Sequence, residues 1–190
     1  MSIVLASGSP RRKELLEMLG VNNMKIIPAK GEEVAPQGLC PQELVKLLAS
    51  AKGHEVAAQC SIEDVIIAAD TIVWHDNQVY GKPHSRAQAV EMLHSLSGRT
   101  HQVYTGVCVL HHGRELLDYE MSKVHFRPLS DEEIERYVDT GEPMDKAGAY
   151  GAQGKAALFV KGIDGDFFNV MGLPLCRLGQ MLKEQGVVLL

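Results

Sequence analysis

Apolar positions along the chain alternate between short continuous runs and helical stripes. Ile3 to Ala6 predicts a strand, and Ser7-Gly8-Ser9-Pro10 interrupts it. A helical pattern follows from Arg11 to Leu19, striped by Leu15, Leu16 and Leu19. Ser9 fits the N-cap, Pro10 the first helical position and Gly20 the stop. Met24 to Pro28 predicts a second strand, and Gly31 to Pro41 a loop. A helix is predicted from about Gln42 to Gln59, with Leu44, Leu47, Leu48 and Ala51 on its apolar face. Val65 to Ala69 reads as a strand covered on both faces and ending at Asp70.

Ile72 to Trp74 and Gln78 to Tyr80 predict a hairpin around Asp76-Asn77. Ser85 is the cap of a helix that runs to Gly98, with Ala89, Val90, Leu93 and Leu96 inward. Two long β-prone segments follow, Gln102 to Leu110 and Glu115 to Phe126, joined at His111-His112-Gly113. Ser130 and Glu133 form a capping box ahead of Ile134, Tyr137 and Val138. Gly141 to Gly165 is rich in glycine and holds a strand from Ala156 to Val160, and a last helix spans Pro174 to Gln185. Helices and strands mix without strict alternation, which predicts an α/β or α+β fold on a mixed sheet.

Composition narrows the function classes. The chain has 190 residues, 45% hydrophobic and 23% charged, which is ordinary globular protein and too apolar for disorder. That length holds one domain, or two small lobes on one sheet. With 19 basic and 24 acidic side chains the formal net charge is −5, a poor match to nucleic acid. No apolar run reaches the roughly 18–20 residues of a membrane span. Cys40, Cys60, Cys108 and Cys176 are widely separated, which predicts reduced thiols and a cytoplasmic setting.

Candidate chemistry gathers at a few points. Ser7 to Lys13 is a strand–loop–helix junction with two hydroxyls and the forks of Arg11 and Arg12. Cations in a first turn oppose the helix dipole, so either an anion such as phosphate balances them or they are simply solvated. Asp70 is read as leaving the core at the tip of its strand, where it either holds a metal or orients water, or closes a turn on its own backbone. Glu32 and Glu33 are an acidic loop pair that either binds a hard cation or is solvated. Lys52 lies at the edge of its helix's apolar face and either snorkels or reaches a phosphate. Lys82 sits in the stiff Gly81-Lys82-Pro83 turn. Asp145 to Gly154 is a run of small residues around Gln153, whose amide can read a base edge.

Taken together these segments resemble the Maf family of nucleoside triphosphate pyrophosphatases. The matching blocks are Ser7 to Leu16, Ala68 to Val73, Gly81 to Pro83, Leu96 to Val107, Glu142 to Gly154 and Gly162 to Leu175, in family order. The form DKAGAYGAQG is similar to the branch acting on dTTP and UTP. The resemblance implies a single domain over residues 1–190, with an elongated mixed sheet, flanking helices and two lobes around a cleft, similar to inosine triphosphate pyrophosphatases. It implies cleavage of dTTP and UTP to the monophosphate and pyrophosphate with a divalent cation, Mg²⁺ or Mn²⁺. Asp70 matches the proton acceptor, and Arg11, Thr71 and Gln153 match positions tied to substrate choice. Ser7, Arg12, Lys52 and Lys82 match phosphate-binding positions, and Glu32 with Asp70 the metal site. A homodimer is compatible with the β-rich surface and the resemblance. The alternatives are a nucleotide-binding regulator of division or septum formation that does not hydrolyse its ligand, and a pyrophosphatase for another nucleotide.

Overall fold

The computed structural model describes residues 1–31, 36 and 38–189. Among them, β1 (Ile3–Leu5), β2 (Lys25–Ile26), β3 (Val65–His75), β4 (Gln78–Tyr80), β5 (Thr100–His111), β6 (Arg114–Phe126) and β7 (Val160–Asp164) build one sheet. Its order is β2-β1-β3-β5-β6-β7, with β4 paired to β3. The helices are α1 (Pro10–Met18), α2 (Pro41–Ala57), α3 (Arg86–Leu96), α4 (Asp131–Val138), α5 (Phe167–Met171) and α6 (Leu175–Glu184). This is the mixed α/β class that the pattern predicts. Among the described residues no helix is long and apolar enough to cross a membrane. All four cysteines are free.

The chain divides into two compact units. The first holds Met1–Asp70, Thr105–Glu120 and Gly172–Leu190. In it β1 runs parallel to both β2 and β3, with Leu5 level with Ile26 and Ile67. Val4, Ala6, Val56, Ile66 and Ala68 share one buried cluster with Ala49 and Cys108. Helix α2 lies very close to β5. A Cβ added to Gly106 would stand 2.2 Å from the Val45 carbonyl oxygen, so only glycine allows this approach.

The inward face of α2 differs from the expected one. Leu44, Val45, Leu48, Ala49, Gly53 and Val56 are buried, whereas Leu47 is 42% exposed and Ala51 is exposed. Large apolar side chains marked the wrong edge of the stripe. Small residues, which let the helix approach the sheet, mark the right one. Two strand assignments also move. Strand β2 is confined to Lys25–Ile26, and residues 155–158 form a 3₁₀ turn, leaving the strand to begin at Val160. Its partner explains the shift, because Val160 to Asp164 pair antiparallel with Phe126 to Lys123.

The second unit holds Thr71–Tyr104 and Met121–Met171. Its local signals were legible. Asp76 and Asn77 both have positive φ, 48° and 60°, as a two-residue hairpin turn requires. The Ser85 hydroxyl accepts from the Gln88 N–H at 3.1 Å and caps α3. Ser130 and Glu133 make the full capping box on α4. Arg127, and then the Ser130 N–H, hold the Glu133 carboxyl down at about 2.

At the centre of this unit His101 is 2% exposed. Its Nε2 lies 2.7 Å from the Tyr150 hydroxyl, and its ring meets Phe126 edge-on at 5.0 Å. Burial, and then the charges of His75 and His125, hold its pKa down to about 3 from 6.5. In the unfolded chain His101 takes a proton near pH 6.5, but in the folded chain only near pH 3. Its contribution is therefore complete above about 6.5 and is lost as pH falls toward 3, at about 1.4 kcal/mol per unit. Melting between pH 8 and pH 4.5 should show this slope, and His101→Gln should flatten it. A variant slope equal to that of the unaltered protein would show that His101 does not carry it.

Candidate active site

Two groups of side chains stand out, one in each unit. In the first unit β1 ends at Leu5, where the Ala6 N–H still donates to the Ile67 carbonyl at 2.8 Å. Ser7 follows at the carboxyl end of β1, beside the stretch of β3 just beyond Ile67. Continued two residues past Leu5, the register puts Ser7 level with Ala69, the residue before Asp70 on β3.

Ser9 takes the N-cap position of α1 and Pro10 the first helical position, as expected, but the Ser9 side chain makes no capping bond. The Ser7 hydroxyl organises this junction. Its Oγ accepts from the Ser9 N–H at 3.2 Å and from Arg12 Nη1 at 3.1 Å. A hydroxyl that accepts twice still has its O–H to give. Arg12 Nε also donates to the Gly172 carbonyl at 2.8 Å. Arg12 is thus held in place, which removes the reading of a freely solvated arginine. Arg11, half-buried, precedes it in the same first turn, which contains no acidic residue.

Asp70 is not at a strand tip and closes no turn. Strand β3 runs unbroken from Val65 to His75, so Asp70 lies within it. Polar Asp70-Thr71 looked like a strand end, but it is the neighbour that ends. Residues 65–67 pair with β1 and residues 73–75 with β4, so Asp70 lies in the stretch that neither covers. Lys52 Nζ reaches Asp70 Oδ1 at 2.5 Å, and the two side chains are only 19% and 9% exposed. Lys52 therefore belongs to the buried face of α2, one turn beyond Leu48, and does not snorkel.

Near the acidic loop, the Glu55 carboxylate accepts from the Lys30 and Gly31 N–H groups at 2.6 and 3.0 Å. Glu32 and Glu33 lie outside the described residues.

The second unit gathers Thr71, Lys82 and Gln153. Strand alternation sends Thr71 to the face opposite Asp70 and to the same face as Val73. The Val73 side chain packs on Gly148, where an added Cβ would stand 2.8 Å from Val73 Cγ2. The Gly148 N–H donates to the Gly81 carbonyl at 3.1 Å, tying the small-residue segment to the turn that carries exposed Lys82. Gln153 is exposed at the end of that segment. Residue pattern alone missed the Gly172 carbonyl that holds Arg12, which has no sequence signal because every residue has one.

The fold is shared with a solved protein of low sequence identity. The structure of a HAM1 protein from Coxiella burnetii matches at TM-score 0.51 and 19% identity, over 97% of this chain and 99% of that one. The particular family follows from sequence. The Maf-like protein model matches residues 2–185, and this chain belongs to the Maf family. The dTTP/UTP pyrophosphatase of Bacillus anthracis is 47% identical over 97% of this chain and 96% of its own length. That of Pelotomaculum thermopropionicum is 48% identical over 97% and 96%.

The Lys52–Asp70 pair invites a stability test. Removing one partner leaves an uncompensated, largely buried charge. Lys52→Met should lose about 2–3 kcal/mol at pH 7, and Lys52→Met with Asp70→Asn should recover a good part of that. Chemical denaturation of the unaltered protein and the two variants checks it. Equal stability of Lys52→Met and the unaltered protein would argue that the pair is energetically inert.

Proposed function

We propose that this protein is a nucleoside triphosphate pyrophosphatase that hydrolyses dTTP and UTP to the monophosphate and pyrophosphate. One observation carries the reading most directly: a buried carboxylate, Asp70, is held by Lys52 in the same unit as the Ser7–Arg12 junction at the carboxyl end of β1. The names of relatives at 47–48% identity support the same chemistry and substrates.

In this reading Ser7, Arg11, Arg12, Lys52 and Lys82 bind the phosphate chain, which carries about four negative charges. Arg12 is already fixed by Ser7 and Gly172, so little of its side-chain freedom is lost when it meets a phosphate. Asp70 takes a proton from water as the water oxygen bonds to the α-phosphorus. The bond from that phosphorus to the α,β-bridging oxygen breaks, and pyrophosphate leaves with the electron pair. Lys52 aims the carboxylate through Oδ1.

A divalent cation, Mg²⁺ or Mn²⁺, belongs to the proposal, with Asp70 and Glu32 as its holders. Asp70 fits such an ion, since it offers hard carboxylate oxygens and the contact to Lys52 is made through one of them. When bound, the ion would neutralise part of the phosphate charge. Thr71 and Gln153, with Arg11, are assigned to substrate choice. The O4/N3 edge shared by uracil and thymine suits an amide that both donates and accepts, and cytosine presents an amine there instead.

A panel of nucleotides with Mg²⁺ or Mn²⁺, assayed for pyrophosphate, tests the activity. Pyrophosphate from dTTP and UTP is expected, and Asp70→Asn should lower turnover by at least about 10³-fold while keeping the fold. Nucleotide binding without any product would instead favour a regulator. Near-normal release from Asp70→Asn would take Asp70 out of the mechanism.

A further inference from the structure

Glu142 stands just after α4 with every polar group engaged. Its N–H donates to the Thr140 hydroxyl at 3.2 Å, and its carbonyl accepts from Lys146 Nζ at 2.7 Å. Its carboxylate faces the segment that carries Gln153. Oε1 accepts from the Tyr137 hydroxyl at 3.1 Å, and Oε2 accepts from the Lys155 N–H at 3.3 Å. The same Tyr137 hydroxyl accepts from the Gly151 N–H at 3.4 Å. The two ends of the 151–155 segment are therefore tied to one Tyr137–Glu142 pair, and Gln153 is at its middle.

Steric facts agree with the hydrogen bonds. A Cβ on Gly154 would stand 2.5 Å from Glu142 Oε1, and one on Gly151 would stand 2.7 Å from Lys146 Cε. Glu142 and Lys146 fill the space that side chains at 151 and 154 would take. Tyr137 is itself anchored, buried on α4 with its ring edge-on to Phe159 at 5.1 Å. The α4 capping box thus fixes a helix, the helix fixes a hydroxyl, and the hydroxyl and carboxylate fix a loop.

We propose that Glu142, braced by Tyr137 and Lys146, is a positioning residue for pyrimidine recognition, its carboxylate setting where the Gln153 amide is presented. This rests on the reading of Gln153 as a base-reading side chain. Glu142 touches no substrate in this scheme and acts on the base through the backbone at Gly151 and Lys155. Its removal should alter discrimination between bases and leave the hydrolytic step intact.

The test compares pyrophosphate release from UTP and CTP, which differ in the base edge. Glu142→Ala and Tyr137→Phe should each lower the UTP/CTP ratio of kcat/KM by about tenfold, one hydrogen bond's worth of placement. The loss should appear as a raised KM for UTP with kcat changed less than about twofold. Glu142→Gln keeps an oxygen for Tyr137 but turns an NH2 toward the Lys155 N–H, so it should restore the ratio only in part. Adding Glu142→Ala to Gln153→Ala should cost no more than Gln153→Ala alone. Faster amide exchange at Gly151 and Lys155 in Tyr137→Phe should accompany the change, in a variant that keeps the aromatic ring and the fold. If Gln153→Ala lowers the ratio but folded Glu142→Gln, Glu142→Ala and Tyr137→Phe all match the unaltered protein, the positioning role is overturned and base reading by Gln153 survives. If Gln153→Ala itself leaves the ratio unchanged, base reading fails and the positioning role falls with it.

Discussion

A carboxylate in the middle of a buried strand has to be paired, and that requirement organises the first unit. Asp70 follows five buried apolar residues on β3, where an unpartnered charge would be costly. Lys52 meets it from α2, and a lysine can do so only if the helix comes close and presents position 52 inward. Both conditions are visible in the packing. Gly106 leaves room for the Val45 carbonyl, and small Ala49 and Gly53 line the inward face on either side of Lys52. The short β1 then matters as much as the long β3, because β1 stops before the level of Asp70. A longer β1 would cover the edge beside the carboxylate.

What could be read in the sequence follows from how local each signal is. The Ser130–Glu133 box, the Ser85 cap and the Asp76-Asn77 turn are set by residues within a few positions of one another, and all three stand as read. The α2 face was misread at Leu47 and Ala51, since the choice of Val45 and Ala49 depends on β5, a strand about 60 residues away in the chain. Asp70 was placed at a strand end for a similar reason. A polar pair inside an apolar run ends a strand unless some distant group balances the charge, and Lys52 is 18 residues upstream. Residue type and position singled out the Ser7–Lys13 junction, Glu32, Lys52, Asp70, Lys82 and Gln153, while Thr71 and the roles of all of them came from resemblance to a family. The structure adds why Ser7 and Arg12 act together and why Lys52 belongs with Asp70. Glu32 has no such account, as it lies outside the described residues.

On the proposed reading of Gln153, the second unit answers a different physical demand. A base edge is read by hydrogen bonds whose direction matters, so the reader has to be held without being enclosed. Gln153 is exposed, yet the Gly148 N–H is tied to Gly81 and the Gly151 and Lys155 N–H groups to Tyr137 and Glu142. A glycine-rich stretch can look like a flexible connection. Here small residues have a packing reason, because their neighbours occupy the space of a side chain. The same composition that reads as mobility in sequence becomes close fit in three dimensions.

Charge placement resolves the apparent conflict between a net charge of −5 and a polyanionic substrate. Several carboxylates are directed at backbone N–H donors inside the molecule. Asp64 accepts from the Ser2 N–H at 2.9 Å, Glu55 from Lys30 and Gly31, and Glu142 from Lys155. Those bonds hold the Asp64 and Glu55 carboxyls below their ordinary values, so these groups stay ionised while their oxygens are turned to the chain's own donors. An anion so engaged repels a phosphate less than a solvated one at the same distance would, because the donor dipoles offset its field. Arg12 shows the converse arrangement. Two of its contacts, to the Ser7 hydroxyl and the Gly172 carbonyl, are to neutral oxygens that fix its direction. Summed charge therefore says little about this protein. What matters is where individual charges are directed: Asp64, Glu55 and Glu142 toward backbone N–H groups, and Arg12 toward the Ser7 and Gly172 oxygens.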